Sequence, residues 1–415
     1  MAPLPNTLAG LHQLRETPSQ ADGVPADLEE ELRVYGCQLI QQAGILLQLP
    51  QVAMATAQVL FQRFWFVSSM KHFSIKDICM GALYLACKLE EQSIRGRNLI
   101  NVFDFLVQRA VHIAERNPGP RSLELAGLVE VGDVHAMRRR LSSILLPRSE
   151  GAHAGPSFSL SPKKRSNGSS AESQQRLGRD EYSTSFVYTP PSYFTQDFYD
   201  TKDALVVAEM QILKRLGFQA QVNLPFATLV NYLKLLGLTE DASADAEGAS
   251  STTAVDEGGA FADGRPKAQA ATPSFAQRAW SYLNDALQTP LYCQFPPHIL
   301  ACGAIYLTAL TNKPKPLALP MRPKPWWALF DVEQEEDLRI IGASLLRLYD
   351  DSGWDGMGSK MGVDAEREPQ KGGLHAMGLA ARVRDEWGGL AVLLDRKAVR
   401  QWMDRAELVQ GRVMR

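Results

Sequence analysis

The chain has 415 residues, 45% of them hydrophobic, and a formal net charge of -2. That length suits two or three domains with a sizeable core, and the near-neutral charge excludes the strong basic excess of a general nucleic-acid binder. No stretch reaches the roughly eighteen consecutive apolar residues of a membrane span, and Pro3, Pro5, His12 and Arg15 break up any signal-peptide core, so a soluble intracellular protein with no membrane partner is expected.

Residues 1–27, rich in Pro, Ala and polar types, read as a flexible N-terminal arm. From Leu28 the pattern turns helical. Leu32, Cys37, Leu39, Ile40 and Ile45 to Leu47 describe a first amphipathic helix, stopped at Leu49-Pro50. A second is predicted over Val52 to Met70. A third, over Ile75 to Glu91, puts Ile75, Ile78, Cys79, Ala82, Leu85, Ala86 and Leu89 on one stripe, with Ser74 as its N-cap. A fourth covers about Asn98 to Arg109. The insert at 117–195 breaks the regularity with Asn117-Pro118-Gly119-Pro120 and Ser/Gly-rich sequence; a helix over Leu123 to Leu146 is its one regular part.

Helical periodicity returns over Phe198 to Phe218 and Leu224 to Leu236. A polar linker at 239–272 follows; between Thr239 and Gly264 it holds seven acidic residues and no basic one, a composition too polar to bury. Three more helices are expected over Phe275 to Leu287, Pro297 to Leu310 and Glu333 to Tyr349. The tail at 351–415 is rich in Gly and charge, with one amphipathic helix around Trp387 to Leu408. No run alternates like a strand, so the fold class is all-α.

One short pattern occurs twice. Gly81-Ala82-Leu83-Tyr84-Leu85 recurs as Gly303-Ala304-Ile305-Tyr306-Leu307, each inside an apolar helical run. A glycine beside an alanine weakens a helix by about 1 kcal/mol relative to two alanines, which suits a surface pressed closely by other helices. The repeat points to a duplicated helical unit with a tightly surrounded central helix in each copy.

The five cysteines (Cys37, Cys79, Cys87, Cys293, Cys302) show no paired spacing, and the seven histidines are dispersed; core thiols are the expectation, with no metal and no cofactor. No phosphate loop, zinc-protease or nucleophile-elbow motif occurs, so the chain is expected to be no enzyme. In Leu85-Ala86-Cys87-Lys88-Leu89-Glu90-Glu91, Lys88 suits the negative end of the helix dipole, whereas the two glutamates do not. Periodicity alone makes that segment a solvated helix end.

The segment Leu49-Pro50-Gln51-Val52-Ala53-Met54-Ala55-Thr56-Ala57-Gln58-Val59-Leu60-Phe61-Gln62-Arg63-Phe64, followed by Leu85 to Glu91, resembles a cyclin box, and most nearly that of the cyclin L branch of transcription and RNA-processing cyclins. Ala208 to Phe218 resembles the fifth helix of a first box. Ala279 to Asp285 and Arg322 to Trp327 resemble segments of a second. The resemblance covers about 28–110, 196–238 and 272–350. It implies two tandem five-helix cyclin boxes, 28–219 with the insert and 220–350 with the acidic linker. It also implies a nuclear, non-catalytic regulator of a cyclin-dependent Ser/Thr kinase in RNA polymerase II transcription and pre-mRNA processing, with transcription or splicing factors as further partners.

In that family a lysine ending the third helix and a glutamate of the fifth hydrogen-bond to kinase backbone beside its movable regulatory helix. The matching positions are Lys88 and Glu209, with Leu85, Leu89, Leu213 and Phe218 as apolar neighbours that pack on the kinase helix. The tail after Asp351 departs from the branch, since it holds no Arg-Ser dipeptide. Ser161-Pro162-Lys163-Lys164-Arg165 reads either as a kinase target beside a nuclear-import patch or as a plain solvated cluster. Two other classes compete: a DNA-binding general transcription factor with two cyclin folds, which needs a basic groove and zinc-ribbon cysteines, and a helical scaffold with no kinase partner.

Overall fold

In the computed structural model the described residues are 8–116, 186, 188, 190–239, 274–312, 316–321, 323–349, 378–385, 390, 393–394, 396, 398–400 and 403–404. The basic cluster at 161–165 and the helix expected over 123–146 lie outside them. Every regular element among the described residues is helical. None of those helices is long and apolar enough to cross a membrane. The chain divides into two compact units, Ala9–Ala220 with Gly372–Arg415, and Gln221–Lys371 with Met1–Leu8.

The first unit holds α1 (Leu11–Arg15), α2 (Pro18–Ala21), α3 (Ala26–Leu46), α4 (Gln51–Trp65), α5 (Ile75–Leu89), α6 (Gly96–Arg116) and α7 (Gln196–Arg215). Helix α5 is central and touches α3, α4, α6 and α7. Its mid-turn residues Ile78 to Leu83 are all buried, which explains why small and apolar types run around the whole helix rather than along one stripe. Close approach recurs in this bundle: a Cβ on Gly36 would stand 2.2 Å from the Phe61 ring, and one on Gly44 2.2 Å from the Met54 sulfur.

The N-terminal stretch, read from its composition as a flexible arm, carries α1 and α2. Thr17 accepts from the Gln20 amide to cap α2, and its hydroxyl donates to Glu29 at 2.5 Å. Glu29 pairs with Arg33 at 2.8 Å, Arg33 donates to Gln62 at 3.1 Å, and the guanidinium lies 4.6 Å from the Phe66 ring centre. Glu29 and Arg33 are buried, so each ion needs these partners to offset its desolvation. Composition could not reveal this, because the tie is made by side chains far apart in sequence.

The C-terminal stretch also joins this unit. Helix α13 (Leu379–Asp385) starts well before the helix expected around Trp387 to Leu408. The Leu394 carbonyl accepts from the Ile75 amide at 2.9 Å and the Ser74 hydroxyl at 3.1 Å, and the Ala380 carbonyl from Gln38 at 3.2 Å. Leu379, Val383, Leu390, Leu393, Leu394 and Val399 are buried.

The second unit holds α8 (Phe226–Leu235), α9 (Phe275–Ala286), α10 (Leu291–Gln294), α11 (Pro297–Leu310), a 3-10 turn (Trp326–Phe330) and α12 (Glu335–Tyr349). Here α11 is central and touches the others. Tyr232 stacks on Phe330 with ring centres 3.8 Å apart, and Trp326 is buried beneath. The duplicated pentapeptide has the same task in both units. A Cβ on Gly81 would meet Ala208 of α7 at 2.9 Å, and one on Gly303 would meet Ile341 of α12 at 2.6 Å. The glycine admits α7 against the central helix in the first unit and α12 in the second.

Candidate functional site

Helix α5 begins at Ser74, whose hydroxyl accepts from the Asp77 amide at 3.4 Å, and closes at Leu89. Its end is built with care. The Gln92 amide donates to the Cys87 carbonyl at 2.7 Å, while Glu91 adopts a left-handed φ of 55° to turn the chain away. Glu90 does not simply face water: it accepts from the Thr56 hydroxyl of α4 at 2.7 Å. The two glutamates that sit poorly with the helix dipole thus make the stop and its tether.

On the neighbouring helix α7, the Gly81 contact sets the backbone at Ala208 and Glu209. The result is a direct pair: Lys88 Nζ lies 2.6 Å from Glu209 Oε1, across 121 residues of sequence. Glu209 is mostly buried, at 15% side-chain exposure, and Lys88 is half exposed at 50%. Lys88 Nζ also lies 4.3 Å from the Tyr84 ring centre, one turn earlier on α5. The carboxylate is therefore fixed in the interhelical seam, and the ammonium has unused donors towards solvent.

Around the pair the apolar residues divide by exposure. Leu89 and Phe218 are exposed, at 43% and 69%, and Leu213 is half-buried. Leu85 is buried and supports the surface from beneath instead of lying on it. Phe218 follows Gly217 with both residues in the left-handed region, φ 61° and 59°, and its amide donates to the Leu213 carbonyl at 2.8 Å. A bulky residue held at positive φ with its ring in solvent is a strained arrangement of the kind that gathers at binding surfaces.

Sequence reasoning missed four exposed apolar residues of α7. Tyr199, Val206, Val207 and Met210 are exposed on α7, opposite buried Phe198, Leu205, Ala208 and Ile212. The available signal was that α7 carries more apolar positions than one stripe can bury. Together they form an exposed apolar ridge, the surface type that marks interaction sites.

The thiols behave as core residues. All five cysteines are free and buried. Desolvation pushes Cys87 up to about 11 and Cys302 up to about 12, so neither is a thiolate near neutrality. Among the described residues no group of His, Cys, Asp and Glu is placed to hold a metal ion.

Residues 11–116 match the family model for the cyclin N-terminal domain. Cyclin-L1 of Gallus gallus is 30% identical over 347 residues, covering 83% of this chain and 44% of its own length. The chain belongs to the cyclin family. Cyclin-L2 of Homo sapiens is likewise 30% identical, over 346 residues, covering 83% of this cyclin and 45% of its own length. This cyclin thus spans less than half the length of the curated relatives it matches. A crystal structure of the yeast RNA Pol II CTD kinase CTDK-1 complex contains a chain that aligns at 12% identity with a TM-score of 0.44, covering 92% of this chain and 82% of that one. The two cyclin-L relatives and the cyclin N-terminal domain match uphold the resemblance to the cyclin L branch. The fold is all-helical, with the cyclin N-terminal domain in the first of its two units.

Proposed function

We propose that this cyclin is the non-catalytic regulatory subunit of a cyclin-dependent Ser/Thr kinase, acting in the nucleus on RNA polymerase II transcription with coupled pre-mRNA processing. The observation that carries the reading is the Lys88–Glu209 pair, 2.6 Å across; Leu89 and Met210, next in sequence to its two members, are exposed, as is Phe218 just past the end of α7. A charged pair with exposed apolar residues next to it in sequence fits a partner helix with a polar backbone group to satisfy. Leu213 joins that contact from its half-buried position, and Leu85 acts from below.

A kinase of this kind transfers phosphoryl only when its active-site lysine is paired with the glutamate of its regulatory helix. A surface that binds the inward position of that helix shifts the population by its differential affinity. Moving such a switch from mostly off to mostly on takes roughly 5.5 kcal/mol of preference. An interface of about 1,600 Å² with a few buried anchors is large enough to supply that preference.

The test is purification of the full chain from cells, with identification of the kinase recovered and assay of its activity. Lys88→Ala and Glu209→Ala are expected to keep the fold, since a half-exposed pair contributes about 1 kcal/mol or less to stability. Both are expected to lose most of the kinase stimulation, because removing one member of a buried interfacial charge pair costs about 2–5 kcal/mol. Full stimulation by both variants refutes the anchor. Salt-sensitive DNA binding without a kinase would instead favour the general-transcription-factor reading.

A further inference from the structure

We propose that Tyr84 is a positioning residue for the Lys88–Glu209 anchor, holding the ammonium in place before any partner arrives. The inference rests on the kinase-binding reading for its consequence but not for its geometry. Tyr84 and Lys88 are one turn apart on α5, and Gly81 lies on the same face, seven residues before Lys88. Nζ of Lys88 stands 4.3 Å from the Tyr84 ring centre while Oε1 of Glu209 stands 2.6 Å from the same nitrogen. The ammonium is thus held from two helices at once.

The ring has a distinct task here. A half-exposed lysine carries a long stem with many rotamers, and a carboxylate alone attracts its charge without choosing among them. An aromatic face four residues earlier on the same helix restricts the stem and attracts the charge through the ring quadrupole. Glu209 cannot do this, because its backbone is fixed by the Gly81 contact and it meets only the tip of the lysine. With the stem already ordered, binding loses less side-chain freedom, which is the general source of pre-organised affinity. The phenol oxygen has no part in the argument, so phenylalanine should serve equally well.

The test uses the full chain with its lysines reductively methylated with carbon-13, which keeps their charge. The Lys88 methyl resonance is identified by its disappearance in Lys88→Arg. In the wild type it is expected upfield of exposed lysines because of the Tyr84 ring current. Tyr84→Phe should leave it there, and Tyr84→Leu should move it to the exposed-lysine position. Affinity for the kinase catalytic subunit that co-purifies with the chain should fall roughly 2–5-fold in Tyr84→Leu and be restored in Tyr84→Phe, with stimulation at saturation unchanged. A Lys88 resonance unmoved by Tyr84→Leu, or equal losses in the Leu and Phe variants, overturns the proposal. If no kinase binds the wild type, the functional reading falls, and the resonance comparison still decides the role of Tyr84.

Discussion

Gly81 and Ala208 approach so closely that a Cβ built on the glycine would stand 2.9 Å from the alanine Cβ and 3.0 Å from the Glu209 amide nitrogen. This contact brings the backbone of α7 onto α5 at the turn carrying Glu209, and so determines where the carboxylate meets Lys88. Neither neighbour is the yielding end of a long side chain. Gly81→Val should therefore push the helices apart and lower stability by roughly 1–3 kcal/mol, the usual cost of overpacking. Urea unfolding would measure this. A kinase-stimulation defect larger than that of an equally destabilised variant on the opposite side of α5 would show that Glu209 had moved.

Removing residues 378–415 should destabilise the first unit, although the cyclin N-terminal domain match ends at residue 116. The truncation uncovers the surface now touched by Leu379, Val383, Leu390, Leu393, Leu394 and Val399, and deprives Ile75 and Ser74 of the Leu394 carbonyl. A loss of about 3 kcal/mol or more is expected, at about 25 cal/mol per Å² of apolar area. Thermal unfolding and a rise in binding of a hydrophobic dye report it. An unchanged melting temperature would mean that the tail adds no stability.

The insert should be dispensable for folding. Phe186 packs on His112 with ring centres 5.2 Å apart, and the Tyr188 hydroxyl donates to the Asn101 carbonyl at 2.9 Å, so the returning chain runs back along α6. The chain thus leaves α6 and rejoins it at neighbouring points. Replacing residues 120–182 by a Gly/Ser linker of about ten residues changes the closure entropy only logarithmically. The denaturation free energy should stay within about 1 kcal/mol of the wild type, provided Phe186 and Tyr188 are kept.

Asp104 should make stability depend on pH. Burial raises its pKa above the ordinary value of 3.8, against the opposing effects of Lys76 and of the hydrogen bond from Gln108. A carboxyl raised in the fold holds its proton more tightly folded than unfolded. Its contribution is then fully present below the unfolded value and is lost as pH rises through the folded one. Asp104→Asn should gain on the wild type as pH is raised from 4 to 7. Melting temperatures of both proteins at those two values check the sign.

Much of the fold was legible in order of residues alone, for definite reasons. The stripe from Ile75 to Leu89 and the Ser74 cap are local features, and α5 runs over those residues. The repeat of Gly81-Ala82-Leu83-Tyr84-Leu85 at Gly303 to Leu307 marked the central helix of both units before any contact was known. Lys88 and Glu209 were named by resemblance to a family, since neither charge is unusual in its own helix. Leu85 was named with them and is buried, because resemblance matches positions without knowing how deep each lies.

Amino-acid order by itself determined the helical class and the residue types at the helix ends, since helix period, capping and chain stops are set by neighbours within a few positions. Tertiary structure alone decided that Glu90 bonds to Thr56, that Leu394 caps the start of α5, and that Lys88 lies between Tyr84 and Glu209. Apart from the Tyr84 contact, those joins span 34, 320 and 121 residues, distances over which no local preference acts and only packing selects the partner.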